Sequence, residues 1–218
     1  MIFNIMSGKK PTYTVTLYGY TNNTILVDGT TTVSLNSSGV GTVVLELGSH
    51  TFKDGYVSSN TKTVNITSDT TVVVGYKLTS MPSQATARTQ GNHTAGNSSE
   101  ATNSNIPAAS YTKAKVIGTV SGYQYNSGYH PLAEATVDGR IKFGGSSGVS
   151  CGYNSNSVSY SSGGTSRSIS AVTISGTGNI SFSGGSVVLR AEAGAIQGDA
   201  YAYTYLESYV NITECYIY

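Results

Sequence analysis

Apolar and polar residues alternate along much of this chain with a period of two, the spacing at which successive side chains of a strand face opposite ways. In TYTVTLYG, Tyr13, Val15 and Leu17 share one face, and Thr12, Thr14 and Thr16 the other. TILVDGTTTVSL sets Asp28-Gly29 between two β-branched runs, the pair that a type I′ hairpin turn favours. VGTVVLELGSHTF, TKTVNIT and TTVVVGYKL add strands at a spacing of about 10–12 residues, and this rhythm predicts a small β-sandwich over residues 11–79. No apolar stripe of helical period persists for three turns, so no helix is predicted.

The pattern stops at Ser80. The stretch SMPSQATARTQGNHTAGNSSEATNSNIPAAS, residues 80–110, holds no Val, Leu or aromatic residue. Such a composition predicts a flexible linker, with a root-mean-square span of about 30 Å. Strand patterns resume over residues 111–218, where Asp138-Gly139 reads as a second hairpin turn. Residues 168–193 read as a meander, bending once at the Gly/Thr/Asn run and again at Gly184-Gly185. The predicted fold class is all-β: two small β-sandwich domains joined by a flexible linker.

Composition narrows the function. Charged residues make up 11% of the chain and the net charge is +1, with no Lys/Arg block; this argues against nucleic-acid binding. No apolar run approaches the ~18 residues of a membrane helix, so no membrane insertion is expected. The opening MIFNIM is shorter than a signal-peptide core and its Lys pair follows instead of preceding it. Synthesis in a cytoplasm is therefore expected. Two cysteines, Cys151 and Cys215, are read as buried thiols; a bridge between them would add about 4 kcal/mol in the chain-entropy model.

Chemistry-bearing motifs are few. Tyr201, Tyr203, Tyr205 and Tyr209 share parity in AYAYTYLESYVNI, so a strand there would carry an aromatic row on one face. Such a row can pack within its own sheet, meet a second subunit, or stack on sugar rings. SGYQYNSGYH, with Tyr123, Tyr125 and Tyr129, and CGYNSNSVSYSSGG read as loops of the Tyr/Ser/Gly/Asn composition that adaptable binding surfaces use. His50, His93 and His130 are scattered, and none sits in a metal-type H-x-x-x-H spacing. Carboxylates for glycoside cleavage could be drawn from Glu192, Asp199, Glu207 and Glu214, with nothing in the sequence to pair them. The reading is a non-enzymatic protein with no catalytic residues, metal or cofactor.

Two resemblances add context. Leu26-Val27-Asp28-Gly29, then Leu45-Glu46-Leu47-Gly48-Ser49-His50-Thr51, Gly55-Tyr56 and Val64-Asn65-Ile66 follow the order of a PEGA-type, immunoglobulin-like surface module. The stretch GVGTVVLEL lacks that family's Thr-Pro, and His50 and Gly55 stand closer than usual. The resemblance implies an immunoglobulin-like first domain acting as a spacer. The start, Met1–Asn4 with Ser7-Gly8, resembles the N-termini of tail-associated proteins of bacteriophages of gut Firmicutes. It implies a virion protein, a tail fibre or tail-tip accessory, that binds other virion proteins and a host-surface glycan or receptor. It also implies a homo-oligomer, as in the trimers common among fibres. The alternatives are a capsid decoration or head fibre, a bacterial cell-surface stalk, and, least favoured, a glycan depolymerase.

In that setting residues 1–10 are an attachment segment. Ile2, Phe3, Ile5 and Met6 could dock as a strand on a partner's sheet edge or form the first strand of their own sandwich. Deleting Met1–Met6 is expected to leave both domains folded, by circular dichroism, and to abolish incorporation into the particle. Unfolding of the first domain would make the hexapeptide an internal strand instead.

Overall fold

A computed structural model describes residues 9–90, 94–126, 135–144, 149–158, 165–197 and 204–218. Among the described residues every regular element is a strand, and the protein is all-β. The chain divides between Lys77 and Leu78 into two compact units.

The first unit holds β1 (Thr12–Tyr18), β2 (Thr24–Val27), β3 (Thr31–Ser34), β4 (Val40–Glu46), β5 (Gly48–Asp54), β6 (Thr61–Ile66), β7 (Thr70–Val73) and the two-residue β8 (Tyr76–Lys77). One sheet has the order β4-β1-β7, with β1 antiparallel to β4 and parallel to β7; the other has the order β3-β2-β5-β6 and is antiparallel. Inward residues of both, including Val15, Leu17, Ile25, Val27, Phe52, Ile66 and Val72, make one core. The alternation of Tyr13, Val15 and Leu17 against the threonines is the one read from the sequence.

The β2–β3 hairpin turns at Asp28-Gly29, both in left-handed backbone (φ 50° and 69°), with Thr30 N–H donating to Val27 O at 3.1 Å. This is the type I′ geometry, whose twist matches that of the flanking strands. A non-glycine residue with positive φ needs support, and the Asp28 side chain supplies it. Its Oδ1 accepts from Thr51 N–H at 2.8 Å, and its Oδ2 lies 2.6 Å from His50 Nδ1. The other ring nitrogen of His50, Nε2, lies 2.8 Å from Glu46 O. A carboxylate and a carbonyl only accept, so satisfying both contacts requires both ring nitrogens to donate, which is the imidazolium form. His50 is thus a clasp between β5 and the β2–β3 turn.

The second unit holds β9 (Ala85–Gln90), β10 (Thr94–Ile106), β11 (Tyr111–Asn126), β12 (Ala135–Phe143), β13 (Val149–Val158), β14 (Thr165–Phe182), β15 (Gly185–Gln197) and β16 (Thr204–Ile217). One antiparallel sheet runs β10-β15-β12-β13. In the other, β11 lies between β14 and β16, and β9 pairs with the outer edge of β16. Val137, Ile141, Leu189, Ala191 and Ala195 from the first sheet and Ala87, Val116, Val120, Leu206 and Val210 from the second are buried, and Ser208 Oγ donates to Asp138 O across the two at 3.1 Å. This is a second β-sandwich.

Within the stretch 80–110, expected as a linker, Ala85–Gln90 and Thr94–Ile106 instead form β9 and β10 of this unit. Large apolar side chains are not needed there because both strands lie at sheet edges, where partners supply the apolar surface. Ala85, Ala87 and Thr89 alternate inward along β9, against a β16 that contributes Leu206 and Val210. Near the end of β10, buried Asn103 takes over from hydrophobic packing. Its Oδ1 accepts from Thr79 N–H (3.0 Å) and Ser80 N–H (2.8 Å), and its Nδ2 donates to Ser80 O (2.8 Å). Asp138-Gly139, expected as a turn, lies within β12, where Asp138 faces Ser155 and Gly194 in the two neighbouring strands. The Gly/Thr/Asn run at 176–179 is likewise continuous β14, held straight by its pairing to Lys113–Val116. The chain does reverse at Ser183-Gly184, between β14 and β15.

Two outcomes follow. Asn103→Ala removes the side-chain acceptor of the Thr79 and Ser80 amides and the donor to Ser80 O, and is expected to cost about 1–3 kcal/mol, read by urea unfolding. The hydrogen bond from His50 to Asp28 raises the His50 pKa against the opposing effect of burial. Burial pushes the Asp28 carboxyl up, but the bonds from His50 and Thr51 outweigh it and leave its pKa lowered. The His50 contribution is full below about pH 6.5 and is lost as pH rises through its raised folded value; that of Asp28 is full above about pH 4 and is lost on acidification. Protection of the Thr51 amide against hydrogen exchange, corrected for the intrinsic exchange rate, should therefore fall as pH rises from about 6.5 through the raised folded pKa of His50, and His50→Gln should flatten that dependence.

Candidate functional site

The outward face of the β11-β16-β9 part of the second unit gathers four of the tyrosines singled out from the sequence. Odd-numbered residues point outward on β16 up to Asn211 and at the end of β11, while Gln124, Leu206, Ser208 and Val210 are buried beneath them. Tyr125 pairs with Tyr205, Tyr123 with Glu207 and Ser121 with Tyr209. The Tyr125 and Tyr205 rings stack with centroids 5.3 Å apart, and Tyr123 tilts against Tyr205 at 6.1 Å. Offset aromatic pairs of this kind add about 0.5–1.5 kcal/mol beyond area burial.

Strand β9 completes the surface. Arg88 stands opposite Glu207 in the register, and its guanidinium carbon lies 4.3 Å from the Tyr205 ring centroid, within cation–π range. Arg88 Nε is 3.7 Å from Glu207 Oε1, with 58% of the Arg88 side chain exposed, so this ion pair orients more than it stabilises. Tyr209 OH donates to Glu207 Oε2. Burial first, then the hydrogen bond to Glu207 and its charge, push the Tyr209 phenol up to about 12; it stays a neutral donor. Three tyrosine rings, an arginine and a carboxylate therefore make a continuous half-buried surface: ring faces for stacking, with donors and acceptors beside them.

Of the other predicted binding residues, Tyr129, Tyr201 and Tyr203 lie outside the described residues, as do Ile2, Phe3, Ile5 and Met6 of the expected docking segment. Ser121–Asn126, expected as a loop, is the end of strand β11, and the CGYNSNSV part of the second expected loop is in β13. Cys215 is buried on β16. Among the described residues, the carboxylates weighed for glycoside cleavage, Glu192, Glu207 and Glu214, are not brought together. Glu207 faces outward on the tyrosine sheet, whereas Glu192 lies on β15 in the other sheet, bonded to Lys142 and Arg190; Asp199 lies outside the described residues. Arg88 escaped the sequence reading because it sits in the stretch taken for a linker. The ATARTQ alternation was the signal that would have placed it on a strand face.

No family model and no curated protein matches the sequence. Among solved structures, the chain is similar to a DUF3823 family protein from Parabacteroides merdae (10% identity, TM-score 0.27, covering 83% of this chain and 96% of that one). A DUF3823 family protein from Bacteroides ovatus gives 10% identity and a TM-score of 0.27, covering 80% and 97%. The module TmCBM61, solved in complex with beta-1,4-galactotriose, gives 11% identity and a TM-score of 0.20, covering 61% and 69%.

Proposed function

We propose that this protein is a non-catalytic binding protein whose second unit holds the sugar rings of a surface glycan on the tyrosine platform. The observation that supports this reading is the packing of Tyr123, Tyr125 and Tyr205 into one aromatic surface bordered by Arg88 and Glu207. A pyranose presents C–H groups on its face, which favour an aromatic ring, and hydroxyls on its edge, which an arginine and a carboxylate can bond. In the setting implied by the N-terminal resemblance, the protein is a tail-fibre or tail-tip accessory of a tailed phage. It is made in the host cytoplasm, assembles with other virion proteins as an oligomer, uses its first unit as a spacer, and adheres to the host surface through the second.

The test replaces Tyr123, Tyr125 and Tyr205 together by Ala in the full chain and probes an oligosaccharide array. Binding is expected to weaken by about 2- to 10-fold per stacked ring lost, with the thermal transition of the first unit unchanged. Undiminished binding refutes the reading. A change in oligomeric mass by light scattering, with binding retained, reassigns the tyrosines to a subunit interface.

A further inference from the structure

The outer face of the other sheet of the second unit carries a groove of about 430 Å³, within the range of small-ligand sites. It exists because two neighbouring positions lack side chains. Gly96, Gly194 and Asp138 stand side by side on β10, β15 and β12, and Asp138 leans across the middle one: a Cβ on Gly194 would collide with its Oδ1. At Gly96 the space is open, since a Cβ there meets only Ala193 O, at 3.8 Å.

The next two ranks of this face are Ser98, Glu192, Arg140 and then Glu100, Arg190, Lys142. Arg190 Nη1 is 3.1 Å from Glu100 Oε1, and Glu192 Oε1 receives both Lys142 Nζ (2.9 Å) and Arg190 Nε (3.1 Å). Across the three ranks, three cations stand against three carboxylates, so the groove has no net charge to draw an ion. Asp138 differs from its fellow carboxylates. Among the described residues none donates a hydrogen bond to it, and burial raises its pKa, with Arg140 opposing and Glu192 reinforcing the shift. A half-buried acceptor without a donor is a cost that a ligand's donor would remove. Among the described residues Ala193 is the one apolar residue that lines the groove, which disfavours a lipid.

We propose that this groove is a second binding site, for a neutral polyhydroxylated ligand, an oligosaccharide, with Asp138 accepting from its hydroxyls. A hydroxyl both donates and accepts, which suits a surface where carboxylates and cations alternate at strand spacing. The glycine floor lets a ring approach the backbone of β10 and β15. The site lies on the opposite outer face of the sandwich from the tyrosine platform and does not depend on it; with both in use, one unit would engage a glycan at two points.

The test applies the full chain to an array of neutral, uronic-acid-bearing and amine-bearing oligosaccharides. Wild type is compared with Gly96→Phe, which fills the open groove, Asp138→Asn, and the Tyr123/Tyr125/Tyr205 triple alanine variant. Gly96→Ser, adding only a hydroxymethyl group in open space, controls for folding and is expected to bind as wild type does. The expected result is a set of neutral oligosaccharides whose binding falls about tenfold or more in Gly96→Phe and Asp138→Asn and is retained by the tyrosine variant. If binding is lost only in the tyrosine variant, the groove is refuted and the platform stands; loss only in the groove variants does the reverse. Groove-dependent binding confined to charged oligosaccharides, or absent throughout, overturns the proposal.

Discussion

The register of β16 against β11 is the constraint on which the second unit depends. Side chains on a strand alternate with a period of two, so a slip of one residue would exchange the two faces. In the observed register Leu206, Ser208 and Val210 face the interior while Tyr205, Glu207 and Tyr209 face out. The same pairing that closes the core therefore builds the tyrosine platform. A bulge between Ile117 and Gly118 shifts the register after Ile212, and past it the odd-numbered Cys215 and Ile217 are buried. Gly118 allows the close approach at that point, since a Cβ there would run into Asn211 O.

The edges of this sandwich are closed with few apolar side chains. Strands β9 and β10 bring alanines, threonines and asparagines, and their order comes from main-chain pairing and from satisfied buried amides such as Asn103. Such segments add little hydrophobic stabilisation of their own. They do decide what the outer faces display: β9 carries Arg88 to the tyrosines, and β10 contributes the open Gly96 of the groove. Both candidate surfaces are thus completed by the residues with the least sequence signal.

The first unit solves a different problem. Its hairpin turn places Asp28 in left-handed backbone, and the aspartate's side chain, held by Thr51 and His50, offsets that cost. The Asp28-Gly29 and His50-Thr51 pairs on which the PEGA resemblance rests are brought into contact here, in a structural clasp. Its strength follows the protonation of His50, so the coupling to pH is one of stability.

Local patterning determined the all-β character, the strands of the first unit, the type I′ turn at Asp28-Gly29 and the shared face of Tyr205 and Tyr209. Each depends on period-two alternation or on the backbone preference of one or two residues, and both are written into neighbouring positions. The tertiary structure alone decided that Ala85–Gln90 and Thr94–Ile106 are strands, that Asp138-Gly139 runs straight through β12, and that Arg88 meets Tyr205 from a strand more than a hundred residues away. Those outcomes depend on which strands become neighbours. A segment of small polar residues folds when a partner edge supplies its hydrogen bonds and apolar cover, and a turn-prone pair stays extended when paired on both sides.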